Sequence, residues 1–396
     1  MPGRSIPYYG YTGNNKMRFS VDAHAIGCHL TGNEVYVRNL LREFAGLDND
    51  SDIIAYISKR ALPAAVPQGI QTRMVSRNPY KRLGFDIPRH VRADRPDVLH
   101  VQYTGPVLSS APLVVSVHDV SYLEHPRYFT HFRSAQLKLT VKRTVDRAAR
   151  VLTPSEYSKQ AILRHYALPE HKVVVVPNAV SSRFRPVDRD VARAEVMQQF
   201  GIPWPFILTV GDLQPRKNHL GLLQAFEDVV RARPTLPHRL VFVGKETWAS
   251  GELHQAVARS GVAERVHFTG FVEDADLLQL YGACDLFAFP SFYEGFGLPI
   301  LEAMACGRAV VCSDTTAMPE VADSAGLLFD PYSTSEMARA MLDVLLDAEL
   351  RARLERLGQQ RAALFSWQRS ARQTLDVYYD VAGKKQRTPA MAAVAS

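Results

Sequence analysis

Four cysteines in 396 residues, Cys28, Cys284, Cys306 and Cys312, stand at neither paired nor zinc-like spacings. A disulfide framework is therefore not expected, and Cys284, Cys306 and Cys312, in apolar contexts, read as buried small hydrophobes. No apolar run approaches the ~18 residues of a membrane span. The polar start, Met1–Lys16, lacks the apolar core of a signal peptide. Those absences together predict a cytoplasmic protein. No repeat of fixed period is present. Acidic residues are scarce in the first half. Up to Val180 there are 24 Lys and Arg against 14 Asp and Glu, a charge of +10, whereas the remainder has 23 against 26, or −3. A basic front and a mildly acidic rear imply two modules with different partners.

What the chain does have is ordinary globular material, 46% hydrophobic and 22% charged, enough for about two or three domains. Strand-like runs at 18–22, 53–57, 98–102, 113–118, 151–154 and 173–177 alternate with helical segments, the first from about Asn33 to Leu47. A second series occupies 206–210, 240–243, 266–269, 286–289, 309–312 and 327–329. Strands alternating with helices predict parallel sheets and an α/β fold. The expected organisation is a disordered start (1–16), a first Rossmann-like domain (17–180) and a linker rich in proline and arginine with one short helix inside (181–205). A second Rossmann-like domain (206–365), a last helix (366–382) and a disordered tail (383–396) complete it.

The most informative segment is Ser291–Gly307, SFYEGFGLPILEAMACG. Glu294 follows the strand ending at Phe289, at the edge where open α/β sheets bind ligands. Glu302 falls near the start of a helix that Pro299 opens and Gly307 closes. Between them the amides of Gly295, Phe296, Gly297 and Leu298 approach a helix N-terminus, a seat for phosphate oxygens. Carboxylates accept from hydroxyl pairs and bare amides bind phosphate, so a ligand carrying both is a nucleotide sugar. Taken singly, each glutamate would be a turn or helix-start residue; together with the glycines and proline they are a site.

Two carboxylates spaced this way resemble the E-x7-E signature of retaining glycosyltransferases with the GT-B fold, in particular glycosyltransferase family 4. The match extends from about Arg18 to Trp367. The resemblance implies two Rossmann-like domains with the active site in the cleft between them, the first binding the acceptor and the second the donor. It also implies that the last helix crosses back onto the first domain, and that a hexose moves with retained anomeric configuration. Mannose from GDP-mannose is the first guess, a UDP-sugar the alternative. A glycan or lipid-linked acceptor completes the reaction, and no nucleic acid takes part. Two other readings stand beside it. A GT-B phosphorylase needs a pyridoxal-phosphate lysine and a longer chain, and a non-enzymatic sugar-binding protein needs no cations at a diphosphate.

Such cations are present. Gly211-Asp-Leu-Gln-Pro-Arg216-Lys217-Asn218 again follows a strand and precedes a helix. Arg216 can grip phosphate oxygens bidentately and Lys217 adds a point charge, where negative charge grows as a nucleoside diphosphate departs. By resemblance His118 lies at the donor sugar, near its 6-hydroxyl and the reacting carbon. Asp119 is the candidate for positioning His118 or the acceptor hydroxyl, Gly32 for backbone contact with the donor or acceptor, and Val272 for the base. Asp-x-Asp triplets at Asp48/Asp50, Asp188/Asp190 and Asp274/Asp276 read as turn and helix-start acids rather than a metal site. With Arg216 and Lys217 in place, neither metal nor other cofactor is expected. Finally, 127–150 has seven basic residues and one acid, Asp146. A helix with Leu137, Val141, Val145 and Ala148 packed inward and Lys138, Lys142, Arg143, Arg147 and Arg150 around it could simply be solvated. Otherwise it touches anionic lipid at the inner face of the cell membrane.

Overall fold

Runs of β-branched and aromatic residues, buried on both faces, build two wholly parallel sheets, the pattern such sheets require. The computed structural model describes residues 16–28, 31–47, 51–58 and 66–383. The expected disorder of 1–15 and 384–396 and the Asp48/Asp50 triplet lie outside them. The first sheet contains β1 (Met17–Asp22), β2 (Ser51–Ser58), β3 (Gln71–Val75), β4 (Val98–Gln102), β5 (Leu113–Ser116), β6 (Arg150–Thr153) and β7 (Val173–Val175). Its order is β3-β2-β1-β4-β5-β6-β7. The second contains β8 (Phe206–Val210), β9 (Arg239–Val243), β10 (Val266–Gly270), β11 (Leu286–Phe289), β12 (Val310–Ser313) and β13 (Leu327–Phe329). Its order, β10-β9-β8-β11-β12-β13, repeats the first. In both, the order reverses beside the first strand, which opens a crevice at the carboxyl ends of β1 and β4 and of β8 and β11.

β3 has no counterpart among the runs read from the sequence. It pairs only with β2, and of Gln71–Val75 only Val75 is buried, so the strand carries almost no hydrophobic signal. β5 stops at Ser116, two residues short of the sequence reading, and His118 therefore stands on the loop beyond it. The first helix begins at Thr31 rather than Asn33 and buries Tyr36, Leu40 and Phe44. Segment 181–205 is not a free connector. Its helix Arg189–Phe200, capped by Asp188, packs on helix Asp274–Ala283, with Phe184, Ala192, Val196 and Ile202 in the second domain's core.

The last helix, Trp367–Val381, follows the second domain but packs on the first. Trp367, Ala371, Leu375 and Tyr378, spaced along one helical face, share a core cluster with Phe19, Tyr36, Leu40 and Phe44. Tyr378 joins a buried chain of hydrogen bonds: its hydroxyl meets His100 Nδ1, His100 Nε2 meets Ser116 Oγ at 2.7 Å, and Ser116 Oγ meets Tyr36 OH at 2.8 Å. Burial pushes the His100 imidazole down to about 3, so it is neutral in this chain of hydrogen bonds.

Candidate active site

The strand-to-helix loop after β8 places Arg216 and Lys217 on a short 3₁₀ turn, Pro215–Lys217, ahead of helix His219–Ala232. Asn218 adopts a left-handed conformation (φ 55°), and its side chain accepts from Gly221 N. Gly211, at the end of β8, lies against the Lys217 stem, where a Cβ would come within 3.1 Å of Lys217 Cε. The loop after β11 brings Glu294 onto both cations: Arg216 Nη1 lies 2.9 Å from Oε2 and Lys217 Nζ 2.7 Å from Oε1. All three side chains are largely buried. Burial alone would raise the Glu294 carboxyl, but the two cations overcome it and hold it down at about 2. Burial, aided by Arg216, lowers Lys217 against the pull of Glu294. The triad keeps one net positive charge, and Arg216 lines the cleft between the domains.

Glu302 is elsewhere. It sits five residues into helix Leu298–Ala305, half-buried, and lines a narrow pocket with Asp274 and Arg183 from the second domain's side and Val35 and Arg38 from the first helix. Tyr281 OH donates to it at 3.0 Å. Burial raises its carboxyl to about 7, with Asp274 adding and Tyr281 opposing. The two signature glutamates thus stand in different electrostatic settings: Glu294 is in direct ion pairs with two cations, whereas Glu302 shares its pocket with arginines and takes its hydrogen bond from Tyr281. Val272 is half-buried beside that core. Gly32 is exposed, with open space around its Cα.

The Gly295–Leu298 segment meets the first domain directly. Ser155 Oγ and Ser158 Oγ donate to Gly295 O at 2.7 and 3.1 Å, and Ser158 Oγ is 3.3 Å from His118 O. A side chain at Gly295 would put Cβ 2.0 Å from His118 O and 2.8 Å from the Asp119 Cβ, so only glycine fits. Gly297 has φ 106°, and Phe296 is buried in the second core. Glu320 completes the contact by accepting from Glu156 N and Tyr157 N at the start of helix Glu156–Tyr166.

His118 lies between Tyr36, 4.7 Å away edge to face, and Tyr103 at 5.7 Å, and both Tyr103 and the adjacent Asp119 line the cleft between the domains. Burial lowers its pKa to about 4, against the pull of Asp119. Of the two roles expected of Asp119, positioning His118 or the acceptor hydroxyl, the first is not what the hydrogen bonds show. Asp119 does not hydrogen-bond His118: its Oδ1 accepts from Ser121 N and Oγ, and its Oδ2 from Tyr103 OH at 3.3 Å. Asp119 is the best-placed acid for a helix start two residues on, and that local role wins. The ring's partner is Gln102, whose Oε1 is 3.0 Å from His118 Nε2. Sequence reading passed over Gln102, Ser155 and Ser158. The available signals were a polar residue ending a central strand and a serine before Glu156 at a helix start.

An interdomain cleft of about 920 Å³ is lined by Gln102, Tyr103 and Asp119 on one side and Gln214 and Arg216 on the other. No three His, Cys, Asp or Glu side chains cluster as metal ligands among the described residues. No helix among them is long and apolar enough to cross a membrane.

Residues 30–184 match the family model for Glycosyltransferase Family 4, and residues 193–361 match that for Glycosyl transferases group 1. The O-antigen chain mannosyltransferase B of Escherichia coli is 36% identical over 267 residues, 67% of this chain and 69% of that protein. The serotype-specific mannosyltransferase WbdA of Escherichia coli is 28% identical over 276 residues, 69% of this chain but only 34% of that longer protein. Among solved structures, a sucrose-phosphate synthase from Thermosynechococcus elongatus superposes with a TM-score of 0.72 at 20% identity, covering 92% of this chain and 99% of that one.

Proposed function

The chain belongs to the GT-B glycosyltransferases of family 4, and from that premise we propose that it transfers mannose from GDP-mannose to a glycan or lipid-linked acceptor. The transfer retains the anomeric configuration and needs no metal. The observation that carries this reading is the Glu294 carboxylate held between Arg216 and Lys217 at the cleft. A diphosphate entering there meets two buried cations that share one directly paired carboxylate, so the negative charge that grows on the leaving group is stabilised where it forms. Glu294, relieved of part of its pairing, accepts hydroxyls of the sugar. Held at about 2 with both oxygens engaged, it is a weak nucleophile, which supports front-side attack assisted by the leaving diphosphate over a covalent intermediate. Glu302, in its separate pocket, accepts the ribose hydroxyls. The choice of mannose follows the names of the two Escherichia coli relatives. Incubation with GDP-mannose under chelation, with the product read by NMR, tests the reading.

A second partner is an anionic membrane surface. Helix His131–Arg147 buries Val141, Thr144 and Val145 but turns Phe132 and Leu139, each 74% exposed, outward beside Lys138 and Arg143. Arg143 and Arg147 both donate to the Val107 carbonyl, which brings the exposed Val107 and Leu108 alongside. Single exposed apolar side chains are ordinary; four of them among cations suit the headgroup boundary. Binding to anionic phospholipid vesicles should weaken steeply with salt and fall further in the triple variant Phe132→Ser, Lys138→Glu, Leu139→Ser. Equal binding to neutral vesicles, or none, would return that face to ordinary solvation.

A further inference from the structure

We propose that Gln102 is a positioning residue for the transfer. Clamped between a backbone carbonyl and His118, its amide fixes the ring as the Nε2–H tautomer and leaves Nδ1 as a bare acceptor for a sugar hydroxyl. The proposal rests on the reading that His118 faces the donor sugar.

The geometry comes from strand register. Gln102 pairs with Ser116 across β4 and β5, and the loop that leaves β5 after Ser116 brings His118 Nε2 to within 3.0 Å of the Gln102 amide. Gln102 is only 8% exposed, so its amide has no freedom to trade partners with water. Its Nε2 lies 3.3 Å from the carbonyl of Asn33 in the first helix. A carbonyl can only accept, so the amide nitrogen must be on that side. The amide oxygen is then the atom 3.0 Å from His118 Nε2, and an oxygen of that kind cannot donate. The imidazole must supply the proton. A neutral ring with its proton on Nε2 carries a lone pair on Nδ1, and Nδ1 has no protein partner among the described residues.

Two features hold the ring in this state. Tyr36 and Tyr103 pack against it, and Tyr36 is itself held by Ser116, His100 and Tyr378 beneath. The titratable groups around it are Asp119, His100, Tyr36 and Tyr103. Asp119, engaged with Ser121 and Tyr103, favours a protonated ring, but burial prevails and holds His118 near 4. At neutral pH the ring carries a single proton, and Gln102 decides where it sits. A Gln102 that merely satisfied its own buried amide would have no such effect on its neighbour.

Long-range proton–nitrogen spectra of the histidine-labelled, full-length protein read the tautomer directly. The expected result is His118 as Nε2–H between pH 6 and 8. In Gln102→Glu the new carboxylate favours the imidazolium and should raise the His118 pKa by about one to three units. A protonated ring offers Nδ1–H instead of a lone pair, so kcat of this variant, taken relative to wild type at each pH so that the titration of Glu302 cancels, should fall as pH falls through the raised value. Gln102→Met should lose kcat with nucleoside diphosphate affinity unchanged, and Gln102→Asn should not restore it, because the shorter amide cannot span both partners. An Nδ1–H tautomer in the wild type overturns the proposal. So does Gln102→Glu with an unchanged His118 titration and pH profile. Wild-type inactivity with every nucleotide sugar sinks the underlying reading instead, and the tautomer measurement stands apart from it.

Discussion

Glu294→Gln should lower turnover about 100- to 1000-fold, the scale expected when one charge-directing contact at a reacting centre is lost, yet leave nucleoside diphosphate bound as tightly or more tightly. The two halves of this expectation have one cause. Glu294 occupies Arg216 and Lys217 at 2.9 and 2.7 Å and competes with phosphate for them. A neutral amide competes less, so the diphosphate gains what the carboxylate gives up. The sugar loses the acceptor that orients it for attack. Glutamine is preferred to alanine because it keeps the side-chain volume and one acceptor oxygen beside the two cations, so that only the charge is removed. Calorimetric titration with nucleoside diphosphate, beside initial rates, separates the effects. A tenfold or larger loss of diphosphate affinity would place Glu294 on the nucleotide and not on the sugar.

Gly295→Ala should cost about 100-fold in kcat with both domains still folded. The added Cβ would lie 2.0 Å from His118 O, so the loop between the signature glutamates must retreat from the first domain by about an ångström, and a misplacement of that size costs ~10²-fold. Ser155 and Ser158 lose their acceptor position at the same time. Diphosphate affinity should fall by less than kcat, since the loop amides shift but Arg216, Lys217 and Glu302 lie outside the displaced segment. A melting profile checks folding, and wild-type turnover in this variant would mean that the domains need not touch here for reaction.

Much of the site was legible because its parts are local. Glu294, Arg216 and Lys217 each stand in a loop between an apolar strand and a helix with a recognisable start, so neighbouring residues alone announce where their side chains go. That Glu294 closes on both cations was not legible, since it depends on β8 and β11 being neighbours in the sheet. Gln102 is silent for the same reason: only the β4–β5 register brings it to His118. Ser155 and Ser158 acquire their acceptor through contact between domains, 140 and 137 residues along the chain. Asp119 misled because a His-Asp pair suggests a dyad, whereas a helix start two residues later claims the carboxylate. In the fold, the buried strands were readable from their apolar runs, and the solvent-exposed edge strand β3 was not.

Retaining transfer from a nucleotide sugar, with the positive charge supplied by Arg216 and Lys217, is open to a single decisive experiment. Proton NMR of the first-formed product, made from GDP-mannose with metals chelated, tests it most directly. The account predicts a product whose new linkage keeps the donor's anomeric configuration, formed at an undiminished rate under chelation. An inverted anomer, or activity that vanishes until a divalent cation is returned, would contradict it.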